Sequence, residues 1–164
     1  MYIVEPNQQI ELMKEMTQLR RDTENCVVYF HHTMNDQMWK SFFPRATEDG
    51  LGPKLLRHDP LPESLEERIK ICLDEEVREN AIGLGIDLST EMDQWPRIIE
   101  ILEQNRRALN AGQIRLFLDH LQISSYEKNI QDLHINTDET GLNNKDFKKL
   151  LWRSRKLKFK SYFP

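Results

Sequence analysis

The stretch that decides the fold is "NCVVYFHHTMNDQMWKSFFP", Asn25 to Pro44. Its first half is rich in β-branched and aromatic residues and too short for an ordinary helix. Cys26 to His32 is therefore expected to be a buried strand. Its second half, "NDQMWKSFFP", reads as a short helix stopped before Pro44, because the residue before a proline is pushed out of helical geometry. On this reading one strand lies among helices.

Working outward towards the N-terminus, "NQQIELMKEMTQLRRDT" places Leu12, Met16 and Leu19 at i, i+4, i+7, the spacing of one helix face. Residues 1–4 and 132–136 are further strand candidates. On the other side, residues 44–63 hold two Gly and three Pro after Pro44 and are expected to be a long irregular loop. Ser64 then opens a capping box with Glu67, and Leu65, Ile69, Cys72, Leu73, Val77, Ala81 and Leu84 trace one long apolar stripe. "STEMDQWPRIIEILEQNRRAL" reads as a second helix with Trp95, Ile98, Ile99 and Leu102 on one face. "NAGQIRLFLDHLQI" reads as a third, with Asn110 as cap, Gln113 completing a box, and Ile114, Phe117, Leu118 and Leu121 facing the core. "NNKDFKKLLWRSRK" reads as the last, turning Phe147, Leu150 and Leu151 inwards. The end, "KLKFKSYF", alternates polar and apolar residues, which is the period of a half-exposed strand. The expected fold is mainly α, in the α+β class. A helical domain spanning residues 1–164 carries one small β-sheet that includes residues 26–32 and 156–163.

Bulk properties narrow the function. The chain has 164 residues, 38% hydrophobic and 30% charged, with a net charge of −4. Residues 145–164 carry eight Lys or Arg against one Asp, so the rest of the chain is strongly acidic. An acidic body speaks against a general nucleic-acid binder, which needs a basic footprint. There is no apolar run long enough for a membrane span and no basic-then-apolar leader, so a cytoplasmic protein with no membrane partner is expected. Cys26 and Cys72 sit in apolar contexts and read as buried free thiols.

Chemical motifs are sparse. His31, His32 and Asp36 combine imidazole and carboxylate, which suits a divalent metal, and His58-Asp59, Asp119-His120 or Asp132-His134 would have to complete the site. Neighbouring strand residues point to opposite faces, so His31 and His32 do not serve one ion easily, and no metal or other cofactor is expected. "GLG", Gly83 to Gly85, lacks the third glycine of a dinucleotide fingerprint and closes a helix where that motif opens one. The run "LDEEVRE" puts Asp74, Glu75, Glu76 and Glu79 on the outer side of a helix, an acidic surface suited to a basic partner.

From Glu100 onward, "EILEQNRRALNAGQIRLFLDHLQISSYEKNI" and then "NNKDFKKLLWRSRKLK" resemble small helical immunity proteins of bacterial toxin–immunity pairs. The resemblance rests on Leu109, Ala111, Gly112, Phe117, Leu118, Leu121, Phe147, Leu150 and Leu151. It implies a cytosolic binding protein that neutralises a cognate toxin, whereas residues 1–90 depart from the pattern. The function expected is a non-enzymatic binding module that recognises another protein, one with a basic surface. The binding residues would be Asp74, Glu75, Glu76 and Glu79, with Arg45 and His58 from the long loop. Two alternatives stand beside it: a small metal-dependent hydrolase or nuclease using His31 or His32, Asp36 and His58, and a nucleic-acid-associated protein using the basic C-terminus.

Overall fold

A computed structural model describes residues 1–47, 50–126 and 143–163. The chain is α+β. In order it forms β1 (Tyr2–Ile3), α1 (Pro6–Lys14), β2 (Thr17–Asp22), β3 (Val27–His32), β4 (Gln37–Phe42), β5 (Leu55–His58), α2 (Leu65–Asp74), α3 (Arg78–Leu88), α4 (Trp95–Asn105), α5 (Ala111–Leu121) and α6 (Asn144–Lys160). The five strands make one antiparallel sheet in the order β1-β5-β4-β3-β2.

The stretch from Asn25 to Pro44 is a hairpin. β3 lies where a strand is expected, but the segment read as a short helix is β4, paired residue for residue with β3 from Val28–Ser41 to His32–Gln37. The links Thr23–Cys26 and Thr33–Asp36 each close with a residue in the left-handed region, Cys26 at φ 53° and Asp36 at φ 54°. Cys26 is therefore an exposed turn residue and not a buried thiol, whereas Cys72 is buried and free. The helix expected through Thr23 stops at Lys14, and "TQLRRD" is the edge strand β2. Leu19, read as part of the helical stripe, lies between Gln18 and Arg20 where the register slips, and is 56% exposed. β5 forms inside the segment expected to be all loop.

The sheet expected from residues 26–32 and 156–163 is corrected at its second member. α6 continues as one helix to Lys160, because Phe147, Leu150, Leu151, Ser154 and Leu157 keep a helical spacing on the buried side. The apolar alternation in "KLKFKSYF" is coincidental: Leu157 is buried while Phe159 and Phe163 are exposed. The strand candidate at 132–136 lies outside the described residues. The long stripe after Ser64 is broken into α2 and α3 by an extended link, with Glu75 at ψ 150°.

Side-chain alternation gives the sheet two different faces. On one, Tyr2, Val27, Phe42 and Leu55 join the main core with residues of α2 to α6, among them Trp95, Ile98, Ile99 and Phe117. On the other, Phe30, Trp39 and Leu56 are covered by Leu12 and Met13 of α1, with Met16 just beyond it. Two glycines set the spacing of the helical layer. A side chain at Gly83 would meet Tyr2 Cβ at 2.5 Å, and one at Gly85 would meet the Phe117 carbonyl at 2.7 Å. The "GLG" pair therefore lets α3 lie against β1 and α5 at close range.

Candidate functional site

Strand register builds one continuous polar row across the helix-facing side of the sheet. Tyr2 pairs with Arg57, Arg57 with Lys40, Lys40 with Tyr29 and Tyr29 with Arg20. At its inner end the row meets Asp87 of α3. The Tyr2 hydroxyl donates to Asp87 Oδ2 at 2.7 Å, and Arg57 Nη1 donates to the same oxygen. The Tyr2 amide donates to Asn80 Oδ1 at 2.9 Å. Burial, then the Asp87 charge, raises the Tyr2 hydroxyl far above its ordinary pKa. Burial works against the Arg57 charge, but Asp87 and Tyr2 outweigh it and the guanidinium is held more firmly protonated. Arg57 and Lys40 both contact the ring of Phe42, at 4.8 and 4.9 Å from its centroid. Burial, and then Arg57, pulls the Lys40 pKa down. The node ties β1, β5 and α3 together. Its one signal in the sequence is Asp87, a carboxylate inside the otherwise apolar run "AIGLGIDL".

Of the residues proposed for a metal site, His31 and Asp36 meet, but His58 is set apart from them. His31 lies on the same face as Met38, whereas His58 pairs with Trp39 in the neighbouring row and so faces the other side. His31 Nε2 and Asp36 Oδ1, 2.8 Å apart, clasp their own hairpin. His32 is buried towards α1, with Nε2 3.5 Å from Glu15. The His58 ring meets Trp39 edge-on at 4.0 Å, and burial lowers its pKa. Among the described residues no group of three or more His, Cys, Asp or Glu could hold a metal ion.

Arg45 is a brace. Its Nε donates to Ser89 Oγ at 2.7 Å and its Nη2 to the His120 carbonyl, which joins the loop after β4 to the ends of α3 and α5. Burial lowers its pKa. It borders an open cavity of about 390 Å³, whose walls include Met92, Trp95, Leu121 and Tyr126. His120, beside it, is likewise lowered by burial and then by Arg45.

The acidic residues are not one helix face. Asp74 ends α2, Glu75 and Glu76 lie in the extended link, and Glu79 begins the next helix. Asp74, Glu75 and Glu76 are exposed, together with Ile71 (39%) and Val77 (44%). The link is held from beneath: the Gln113 amide donates to the Glu75 carbonyl at 2.7 Å, and the Asn110 amide N–H to the Leu73 carbonyl at 3.0 Å. Gln113 therefore supports the acidic link and does not complete a capping box. Glu79 accepts from the Glu5 amide at 3.0 Å and belongs to the scaffold. Beside the link runs a groove of about 460 Å³ between Glu76, Arg78, Arg115, Leu116, Asp119 and Tyr162.

The basic C-terminus is bolted on by its flanks. Arg153 forms a two-pronged bridge to Glu103, with Nη2 to Oε2 at 2.6 Å, and Lys158 pairs with Asp119. Arg106 donates to the Lys160 carbonyl at 3.0 Å, and Arg115 to that of Ser161. Of the residues of the immunity-protein resemblance, Leu109, Phe117, Leu118, Leu121, Phe147, Leu150 and Leu151 are core residues, whereas Ala111 and Gly112 at the start of α5 are half-buried. No helix among the described residues is long and apolar enough to cross a membrane. No protein-family model matches the chain, nor does any curated protein or solved structure.

Proposed function

We propose that the chain is a non-enzymatic, cytoplasmic protein-binding module whose partner presents a basic surface. One observation carries this reading: the link around Asp74, Glu75 and Glu76 displays three carboxylates with two exposed apolar side chains, Ile71 and Val77, on a backbone pinned by Gln113 and Asn110. Apolar anchors inside a charged rim are the usual anatomy of a protein interface. A rim held rigid before contact loses little entropy on binding. The adjoining groove, walled by Glu76 and Asp119 but also by Arg78 and Arg115, is of mixed charge, so the attraction for a basic partner comes from the link itself. The resemblance to toxin-neutralising immunity proteins supplies the particular form of the proposal, in which the partner is a toxin. Arg45 and His58, expected at the interface, serve in it as supports of the loop and sheet.

The test is to recover the partner with tagged chain from its native cells and measure association with the parent and with the Glu75→Lys, Glu76→Lys variant. The expected result is an association rate lower by about tenfold and a flatter salt dependence, with the melting temperature nearly unchanged because exposed charges contribute little to folding. Unaltered kinetics would remove this surface from the interface.

A further inference from the structure

α6 has a second face that the fold does not use. Its inner row is buried, and its flanks are bridged to Glu103 and Asp119. What remains outward is a row with Trp152, Lys156 and Phe159 at i, i+4 and i+7, with Phe163 three residues past the end of the helix. Trp152, Phe159 and Phe163 are 60%, 65% and 64% exposed. Its members meet in pairs: Lys156 Nζ sits 4.6 Å from the Trp152 ring centre, and the Phe159 and Phe163 rings are 5.2 Å apart. Lys145, Lys148 and Lys149 extend the charge along the same exposed side towards the start of the helix. Exposed apolar area of this kind is rare on a soluble surface without a partner.

We propose that this outer face of α6 binds the surface of a bilayer containing anionic lipids. The proposal goes beyond the protein-binding reading and uses a different surface. Trp and Phe are suited to the boundary between headgroups and acyl chains, and flanking lysines to anionic headgroups. Lysine predominates here, and its compact charge suits a diffuse anionic surface. Paired recognition of nucleic-acid phosphates favours the arginine fork. Phe159 and Phe163 lie against each other as an apolar knob, not as separate platforms for stacked bases. The acidic remainder stands behind a helix about 10 Å across, roughly one Debye length at physiological salt, so its repulsion is screened.

The molecule carries its own reporter. Trp39 and Trp95 are 6% and 2% exposed, so a change in tryptophan emission on adding vesicles reports Trp152. The experiment mixes the full chain with vesicles of phosphatidylcholine plus phosphatidylglycerol, with vesicles of phosphatidylcholine alone, and with a single-stranded oligonucleotide. The expected result is a blue shift and co-sedimentation with the anionic vesicles, lost at high salt. Lys148→Gln, Lys149→Gln and Lys156→Gln together should lower partitioning roughly 100-fold, at about fivefold for each lysine. Phe159→Ser with Phe163→Ser should weaken it without changing the salt slope. Glu75→Lys, Glu76→Lys should still bind anionic vesicles, which separates failure here from failure of the protein-binding reading. The proposal is overturned by no shift and no sedimentation, by equal binding to neutral vesicles, or by an unaffected triple-Gln variant. Salt-dependent binding of the oligonucleotide in place of the vesicles would also overturn it and assign the face to nucleic acid.

Discussion

The two faces of the sheet share the same strands but are finished by different means. The face under α2 to α6 is closed by a large apolar core, at whose edge the Tyr2–Asp87–Arg57 node is set as a largely buried polar joint. Among the described residues the face under α1 has only Phe30, Trp39 and Leu56 as buried apolar residues, and its cover is partly polar. Gln9, 2% exposed, holds α1 down by donating from Nε2 to the carbonyls of Ile3 and Lys54, each at 2.9 Å. Cooperative stability is therefore expected to be concentrated on the helical side, with α1 and the edge strand β2 as a lighter flap. Local opening is expected where buried apolar contact is thin.

The sharpest way to break this comparison is at the node. Arg57→Met leaves the Asp87 carboxylate buried without its cation, and the expected loss is about 3–5 kcal/mol in urea unfolding. Adding Asp87→Leu should recover part of it, since an apolar pair tolerates burial where a lone charge does not. A loss below about 1 kcal/mol for the single variant would show that the joint carries little.

On the other face, Gln9→Ala strips the Ile3 and Lys54 carbonyls of a donor, at an expected cost of about 1–2 kcal/mol. Hydrogen exchange should speed up in α1 and β2 first, with the slowest amides of α4 and α5 changed least. Uniform loss of protection throughout the chain would make the two faces one cooperative unit.

The effect that is smallest at neutral pH concerns the contrast between the two thiols. A soluble disulfide reagent should modify exposed Cys26 at once and Cys72 only on unfolding. Burial pushes the Cys72 thiol up to about 12, against about 8.5 for an unfolded cysteine. The native protein keeps a proton that the unfolded chain releases, so this contribution is whole below about pH 8.5. It is lost as pH rises towards 12, by at most about 1.4 kcal/mol per pH unit. Cys72→Ala should flatten that part of the pH–stability curve, and an unchanged curve would refute the assignment.

Some of this was legible from residue order. Asn110 caps α5 through the Gly112 and Gln113 amides, Ser64 caps α2 through Glu67, and the inward rows of α4, α5 and the first half of α6 are those their periodicity names. The strand β3 was legible too, because Val27 to Phe30 are residues that pack on a pleated surface. The candidate site was legible only in part. The acidic residues 74–76 are exposed as their charge suggests, but their arrangement as a rigid link depends on Gln113 and Asn110, more than thirty positions away. The Tyr2–Arg57–Asp87 node joins residues up to 85 positions apart, and no local pattern announces it.

Residue order alone was enough for the starts of α2 and α5 with their caps and for the apolar faces of α4, α5 and the first half of α6, because a helix satisfies its backbone within its own turns and states its buried side by its own spacing. Only the tertiary structure decided β2, β4 and β5. A strand finds its hydrogen bonds in distant segments, and "TQLRRD" or "QMWKSF" becomes extended when β3 or its neighbour supplies a ladder. It also decided that "KLKFKSYF" stays helical. The inner face of α6 is completed by Ser154 and Leu157, and bridges to α4 and α5 hold the helix in place. Phe159 and Phe163 are thereby left on the outside, where no rule of alternation put them.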